Sequence, residues 1–380
     1  MSNADTRHRW VKVLLLLYTP FLLGVLGVTT LVAFCFAAWA WSVASSLNMG
    51  VGLVLAIPAI LLVSFVIALI PACRAFFRPM ISMEDELELR LPPKAMQGLL
   101  GLVREVADEQ SLPLPSEVRL HAESTAHVYE EETEGVIQRI LVIGGAALAS
   151  LDREALSGVI AHELGHFAGG DTAFSRRVFR GLRTMLYVEF ALSRHPWNPL
   201  GWLFRGYHFL FRWAWATAQR EQEFAADRYQ VQRIGKKQTA RTLIAVSIID
   251  EMPWSRLSSV AEWFAVMRTR NISVYGEQVR RARQVTPSQW QEACRKALKQ
   301  KTESFDSHPG LRERLKAIGV SPKMALELAA GLRPAETTCS EFIQNWDEID
   351  ESMSAFLVAL VQSDHEEKRE MAAILLGRPV

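Results

Sequence analysis

Hydrophobic residues are distributed unevenly along the 380-residue chain. From position 13 to position 73, 61 consecutive residues include no Asp, Glu, Lys, Arg or His. A helix needs about 20 apolar residues to cross a bilayer, so this run is long enough for two crossings. Its most polar point lies at 45–50, which predicts one helix near 13–44 and a second near 51–73. The pattern therefore predicts a two-helix transmembrane hairpin.

Two alternatives to this hairpin are a cleaved signal peptide and a hairpin buried in a soluble protein. A signal peptide has an apolar region of only about 7–15 residues, much shorter than this run. Cations flank the run on both sides, namely Arg7, Arg9 and Lys12 before it and Arg74 and Arg78 after it. Because cytoplasmic flanks are enriched in Lys and Arg, both ends are expected in the cytoplasm. We therefore expect an integral membrane protein of the cell inner or plasma membrane whose remaining chain is cytoplasmic.

Beyond the hairpin, charged and apolar residues are mixed as in a globular domain. Residues 136–143 are mostly β-branched and aliphatic, which predicts a strand. Residues 152–167 repeat apolar positions at helical spacing and begin at Asp152, a suitable N-cap. The sequence thus predicts an α+β, mainly α fold with a small β-sheet. We expect four segments, which are a tail over 1–12, the hairpin over 13–76, a globular domain over 77–320 and a helical extension over 321–380.

Charge and cysteine content narrow the functional classes. The formal net charge is +1 and no basic run with interleaved aromatic residues occurs, so a nucleic-acid partner is not expected. The cysteines at positions 35, 73, 294 and 339 show no Cys-x-x-Cys spacing. The absence of this spacing argues against a disulfide framework or a cysteine zinc site. Such a cysteine content suits a reducing compartment.

The predicted helix over 152–167 contains a constellation with metal-binding spacing. His162 and His166 are four residues apart, so both imidazoles project from one face of the helix and can coordinate one Zn²⁺. Glu163 is offset by one position and suits a general base that acts on a metal-bound water. Two histidines at this spacing also occur as polar surface residues, so the surrounding sequence must decide between the two interpretations.

The third ligand must come from elsewhere in the chain. A three-histidine site would need histidine at position 172, where this chain has Thr172. Glu223 and Asp227 share a face of a predicted helix, and such a like-charge pair is mildly unfavourable on a plain surface. The pair is explained if Glu223 binds Zn²⁺ and Asp227 accepts a hydrogen bond from the far nitrogen of His162. Glu221 is the rival ligand, but it lacks such a partner at helical spacing.

Three separated motifs resemble the membrane gluzincins, the zinc endopeptidases that include the CaaX prenyl protease and the HtpX-type proteases. The motifs are residues 161–167 with Gly170-Asp171, residues 222–228, and Ser307-His308-Pro309 followed by Arg314. The resemblance implies one Zn²⁺ per chain and catalytic roles for two further residues. His308 either donates to the transition-state oxyanion or occupies the open zinc position in a resting form, and Arg314 helps to stabilise the oxyanion.

The resemblance also implies that substrate binds as an added strand beside a sheet edge. We expect this edge in the strand over 136–143, at Ile140, Leu141 and Val142. The implied substrates are membrane-proximal proteins or peptides, in quality control or regulated proteolysis, and the lipid bilayer is the other expected partner. Prenylated-peptide processing is the alternative activity, and an inactive membrane scaffold that retains the fold is the alternative of a different class.

The interval between the first and second motifs, residues 181–218, leaves two interpretations open. HtpX-type relatives have two membrane spans here, whereas Arg183, Glu189, Arg194, Arg205 and Arg212 interrupt this interval. Residues 201–215 place Arg205, His208 and Arg212 on one stripe of a helix opposite an aromatic face. Such a helix either lies in the headgroup layer or packs in the protein core.

Overall fold

The computed structural model describes residues 3–46, 88–123, 126–133, 136–168, 178, 185–186, 199–249, 256–267, 272–306 and 308–375. These residues form a mainly helical α+β structure with one mixed β-sheet. The strands are β1 Glu88–Leu89, β2 Glu117–His121, β3 Ala126–Thr133 and β4 Val136–Gly144. The helices are α1 Asn3–Ser46, α2 Gln97–Gln110, α3 Gly145–Ser150, α4 Arg153–Ala168, α5 Pro199–Ile249, α6 Leu257–Met267, α7 Val274–Arg283, α8 Pro287–Ala297, α9 Leu311–Ala317, α10 Pro322–Ala330 and α11 Trp346–Leu375. Short 3₁₀ helices occupy Pro93–Met96 and Cys339–Phe342.

The chain divides into two compact units. The first comprises residues 1–81, 174–221 and 304–307, and the second comprises residues 82–173, 222–303 and 308–380. Helix α5 contributes residues to both units, and its helical dihedral angles are interrupted at Gly235, where φ is 75° and ψ is 158°.

The first unit contains α1 and the initial part of α5, which pack through aromatic side chains. The rings of Phe21 and Tyr207 stack with centroids 4.7 Å apart, and the Tyr207 hydroxyl donates to the Leu14 carbonyl. Within the part of the chain that the structure describes, no helix combines the length and apolar character needed to cross a membrane. The second arm of the predicted hairpin, near 51–73, lies outside the described residues. The transmembrane hairpin is therefore not confirmed.

Residues 201–215 form part of α5 and have one buried and one exposed side. Phe204, His208 and Phe211 are buried, whereas Trp202 and Trp213 are exposed. His208 therefore does not belong to an exposed cationic stripe, because its ring packs with those of Tyr18 and Phe204. The exposed side of this segment carries aromatic residues together with the arginines.

The sheet of the second unit has the strand order β1-β2-β4-β3. Strand β4 pairs parallel with β2 and antiparallel with β3, so it has neighbours on both sides. Ile140, Leu141 and Val142 are fully buried in this interior strand, and the prediction that they form a substrate edge is wrong. Their backbone groups already belong to the two ladders and cannot pair with a peptide. Among the described strands, β3 forms the edge on this side, and it packs against α4.

The main hydrophobic core of the second unit lies between the sheet and the helices around it. Its members include Leu102 of α2, Leu141 of β4, Ile160 of α4 and Met353 of α11. The predicted apolar stripe of α4 is present here, because Leu156, Ile160, Leu164 and Phe167 all belong to this core. The predicted N-cap is present as well, since Asp152 Oδ1 accepts a hydrogen bond of 2.7 Å from the Ala155 backbone. The core thus fixes α4 against the sheet.

Candidate metal centre

Helix α4 presents its polar residues toward α5. Gly158 and Gly165, seven residues apart on one face, allow α5 to approach closely. A Cβ at Gly165 would lie 2.7 Å from Tyr229 Cδ2 and 3.4 Å from Ala226 Cα, and one at Gly158 would overlap the end of the Ile234 side chain. Since real Cβ atoms do not come this close to a ring, the missing side chain of Gly165 permits this separation of the helices. Sequence reasoning missed this role, although two glycines seven apart on a predicted helix signal such a contact.

This packing brings together the three predicted metal ligands. The imidazole rings of His162 and His166 lie with centroids 5.1 Å apart and planes at 85°. Glu223 Oε2 lies 3.5 Å from His162 Nε2, and Glu223 Oε1 lies 3.8 Å from His166 Nε2. These three residues form a group that can hold a metal ion, with ligand atoms within 4.8 Å of one another. The rival Glu221 does not belong to this group.

The separations within this group fit a zinc ion. Ligands about 2.0–2.1 Å from a tetrahedral zinc lie about 3.3–3.4 Å from one another. The observed separations of 3.5 and 3.8 Å are close to this value, and both exceed the usual length of an N–H···O hydrogen bond. Two imidazole nitrogens and a carboxylate oxygen are also ligands that zinc accepts in catalytic sites. The donor set and its spacing therefore suit Zn²⁺.

Asp227 is fully buried and lies behind the ligands. Its Oδ1 is 3.2 Å from His162 Nδ1, the nitrogen that faces away from Glu223. Arg314 binds the same carboxylate with two hydrogen bonds, 2.9 Å from Nε and 2.5 Å from Nη2. Arg314 Nη1 is also 3.6 Å from Glu223 Oε2. The structure thus places Arg314 as the counterion of both carboxylates, a contact that sequence reasoning did not assign.

His308 also contacts the ligand set. Its Nδ1 lies 2.9 Å from Glu223 Oε1, so the His-Pro segment reaches the same carboxylate as His162 and His166. This hydrogen bond with Glu223 is the main reason why the pKa of His308 is raised above its ordinary value. The structure therefore brings His308 to the metal group, as the resemblance requires, and the choice between its two implied roles stays a prediction.

The electrostatics of the site favour a positive charge beside Glu223. Burial alone would lower the pKa of His162, but the neighbouring carboxylates of Asp227 and Glu223 raise it to about 9. Burial alone would raise the pKa of Glu223, but the neighbouring imidazoles of His162 and His308 hold it well below its usual range. Glu163 differs, because burial outweighs its cationic neighbours and raises its pKa. The lowered pKa of Glu223 favours its ionised form beside the imidazoles, as a carboxylate ligand of a divalent metal requires.

A His-Glu-x-x-His helix and a glutamate from a second helix define a metallopeptidase of the His₂Glu class. A family model described as Peptidase family M48 matches residues 96–320, more than half of the chain. The chain belongs to this family of zinc metallopeptidases, which confirms the resemblance derived from the three motifs. A comparison with curated proteins finds no match.

Proposed function

We propose that the chain is a membrane-anchored zinc endopeptidase that hydrolyses membrane-proximal proteins with Glu163 as general base. The observation that carries this proposal is the group His162, His166 and Glu223, with Glu163 buried beside it on the same helix. Zinc, when bound there, supplies a Lewis acid and lowers the pKa of a bound water to about 7. A role in quality control or regulated proteolysis is the physiological part of the proposal.

In this mechanism each side chain has a separate task. Glu163 accepts a proton from the attacking water and delivers it to the leaving amine. His308, held by Glu223, donates a hydrogen bond to the oxygen of the scissile carbonyl as negative charge develops there. Arg314 holds Asp227 and thereby fixes the ring of His162, and its positive charge also favours the developing oxyanion.

The membrane anchor rests on the uncharged run and its flanks. The uncharged run from position 13 to position 73 is 61 residues long, longer than a buried helix of a soluble protein requires. Cations flank it on both sides. Exposed apolar side chains along α1, among them Leu16, Leu23 and Phe34, support the same proposal. On this basis the catalytic unit is cytoplasmic, at the inner or plasma membrane.

The test uses the purified full chain and the variant Glu163→Gln. Wild type should contain one zinc per chain and cleave casein, whereas the variant should keep its zinc and lose cleavage roughly 10²–10⁴-fold. The substitution retains the shape of the side chain but removes the base. Cleavage at the wild-type rate in the variant, or wild-type protein without activity at full zinc occupancy, would contradict the mechanism, and the latter result would favour an inactive scaffold.

A further inference from the structure

Positive charge is concentrated in one region of the chain. Residues 280–323 contain eleven Lys and Arg but four Asp and Glu, a net charge of +7, whereas the whole chain has +1. We propose that seven cations in and next to this region form a docking surface for anionic lipid headgroups. We name it the lysine surface, and its members are Lys236, Lys237, Lys296, Lys299, Lys301, Arg312 and Lys316.

The lysine surface is built from three neighbouring segments. Lys296 lies in the last turn of α8 and Lys299 in the turn that follows it, and both side chains are exposed. The segment after α8 joins the start of α9, because the Gly310 backbone donates a hydrogen bond of 2.8 Å to Thr302 Oγ1. Gly319 lies just beyond α9, and Lys236 Nζ of α5 is 3.0 Å from the position that a Cβ on Gly319 would take. These contacts bring together the segments that carry the seven cations.

The seven cations are available to a partner. All of them are exposed, and none forms an ion pair with another residue that the structure describes. The neighbouring arginines are different, since Arg280 and Arg281 bind Glu277 and Arg314 binds Asp227. Arg312 and Lys316 are four residues apart on α9, so they share its exposed face.

Helix stabilisation does not account for this arrangement. Cations in the last turn of a helix interact favourably with its dipole, which explains Lys296 and Lys316. Lys236 and Lys237, however, directly follow the interruption of α5 at Gly235 and open a helical segment, where a cation is unfavourable. Lys299 and Lys301 lie beyond the end of α8. A function other than folding therefore explains these four lysines better.

Anionic lipid is the partner that these observations favour. This step rests on the proposed membrane anchor, because a tethered unit meets the lipid surface at high effective concentration. The cytoplasmic leaflet carries anionic lipids, and each Lys or Arg near it contributes roughly a fivefold gain in binding. Lysine is a strongly hydrated point charge, which suits a diffuse layer of headgroups better than a bidentate site. Contact through α9 would also hold the metal centre near the bilayer, since α9 carries Arg314.

Lysine acetylation of the full chain in lipid nanodiscs tests this proposal. Discs of phosphatidylcholine alone are compared with discs that also contain phosphatidylserine, and the modified lysines are quantified by mass spectrometry. In the anionic discs the six lysines of the surface should react severalfold more slowly, and high salt should abolish the difference. Lys94, an exposed lysine outside the lysine surface, is the internal control and should react equally in both discs.

Charge reversal supplies the second arm of the test. The variant K296E/K299E/K316E should leave Lys236, Lys237 and Lys301 equally reactive in both kinds of disc, whereas the matched variant K94E should retain their protection. Equal reactivity in both discs for wild type, or protection by polyglutamate but not by anionic lipid, would overturn the proposal. No turnover is measured, so an inactive zinc centre would leave this result unchanged. If the chain does not enter discs, the membrane anchor is contradicted rather than the lysine surface. The lysine surface is then tested by flotation of the chain with vesicles of the same two compositions, where binding to the anionic vesicles alone supports it and equal behaviour with both overturns it.

Discussion

Two buried carboxylates organise the metal centre at the scale of single residues. Glu223 faces His162, His166 and His308, whereas Asp227 faces the opposite nitrogen of His162 and the guanidinium of Arg314. An uncompensated buried carboxylate is costly, so the ionised state of Asp227 depends on its bidentate partner. Arg314 therefore orients the ring of His162 through Asp227. In this respect it is a positioning residue.

The variant Asp227→Asn tests this positioning. Asparagine keeps the shape of the side chain but loses the charge that pairs with Arg314 and orients His162. We expect the affinity for zinc to fall about 10–100-fold. Competition with a chelator of known affinity measures this change, and Glu327→Gln, which alters an exposed carboxylate, is the control. Unchanged zinc affinity in Asp227→Asn would contradict the proposed role.

Local spacing explains which contacts of the site could be predicted. His162 and His166 face one way because they are four residues apart on a helix. Glu223 and Asp227 are also four residues apart, and two carboxylates on one helix face are unfavourable unless a metal site compensates them. The bond between Arg314 and Asp227 joins residues 87 positions apart. Helical periodicity carries no information about such a pair, so only the family resemblance brought Arg314 and His308 into consideration.

At the scale of elements, the contact between α4 and α5 determines whether the ligands meet. Gly165 lies inside the metal-binding motif and against Tyr229, so its missing side chain is part of the helix contact.

The prediction for β4 failed at the same scale. An apolar strand pattern shows that a segment is buried in a sheet, but it does not show which strands lie beside it. The pairing of β4 with both β2 and β3 is what makes residues 140–142 part of an interior strand.

The variant Gly165→Ala should destabilise the second unit. The added methyl group would overlap Tyr229 and force a shift of α5, at a cost of about 1–3 kcal/mol in the free energy of unfolding. Gly101→Ala is a matched control, because Gly101 is exposed in α2 and a Cβ there meets nothing within 4 Å. Alanine favours a helix by about 1 kcal/mol over glycine, so the control should gain stability. Chemical denaturation measures both, and equal gains in the two variants would show that the helices are not in close contact.

At the scale of the whole molecule, the catalytic unit extends beyond the part that matches the family. The match ends at residue 320, but α11 contributes Met353, Leu357 and Val358 to the same core as α4. Polar contacts add to this packing, since Ser273 and Ser354 both donate 2.7 Å hydrogen bonds to Asp350. The sequence predicted a helical extension here. It did not predict this docking, because an amphipathic pattern does not identify the surface that a helix covers.

The membrane topology belongs to the same scale. If the proposed topology holds, with both flanks and the second unit in the cytoplasm, protease added to sealed right-side-out vesicles should leave the second unit intact. Inverted vesicles, or vesicles opened with detergent, should release it to the protease. Digestion from the outer face of sealed right-side-out vesicles would reverse the proposed orientation.

The central claim is that His162, His166 and Glu223 together bind one zinc ion. Zinc content per chain, measured by mass spectrometry after dialysis against a weak chelator, tests it most directly in Glu223→Ala and Glu221→Ala. The account predicts that Glu223→Ala loses its zinc while its circular dichroism stays that of a folded protein, and that Glu221→Ala retains one zinc per chain. Full zinc in Glu223→Ala, with loss of zinc in Glu221→Ala, would contradict the assignment.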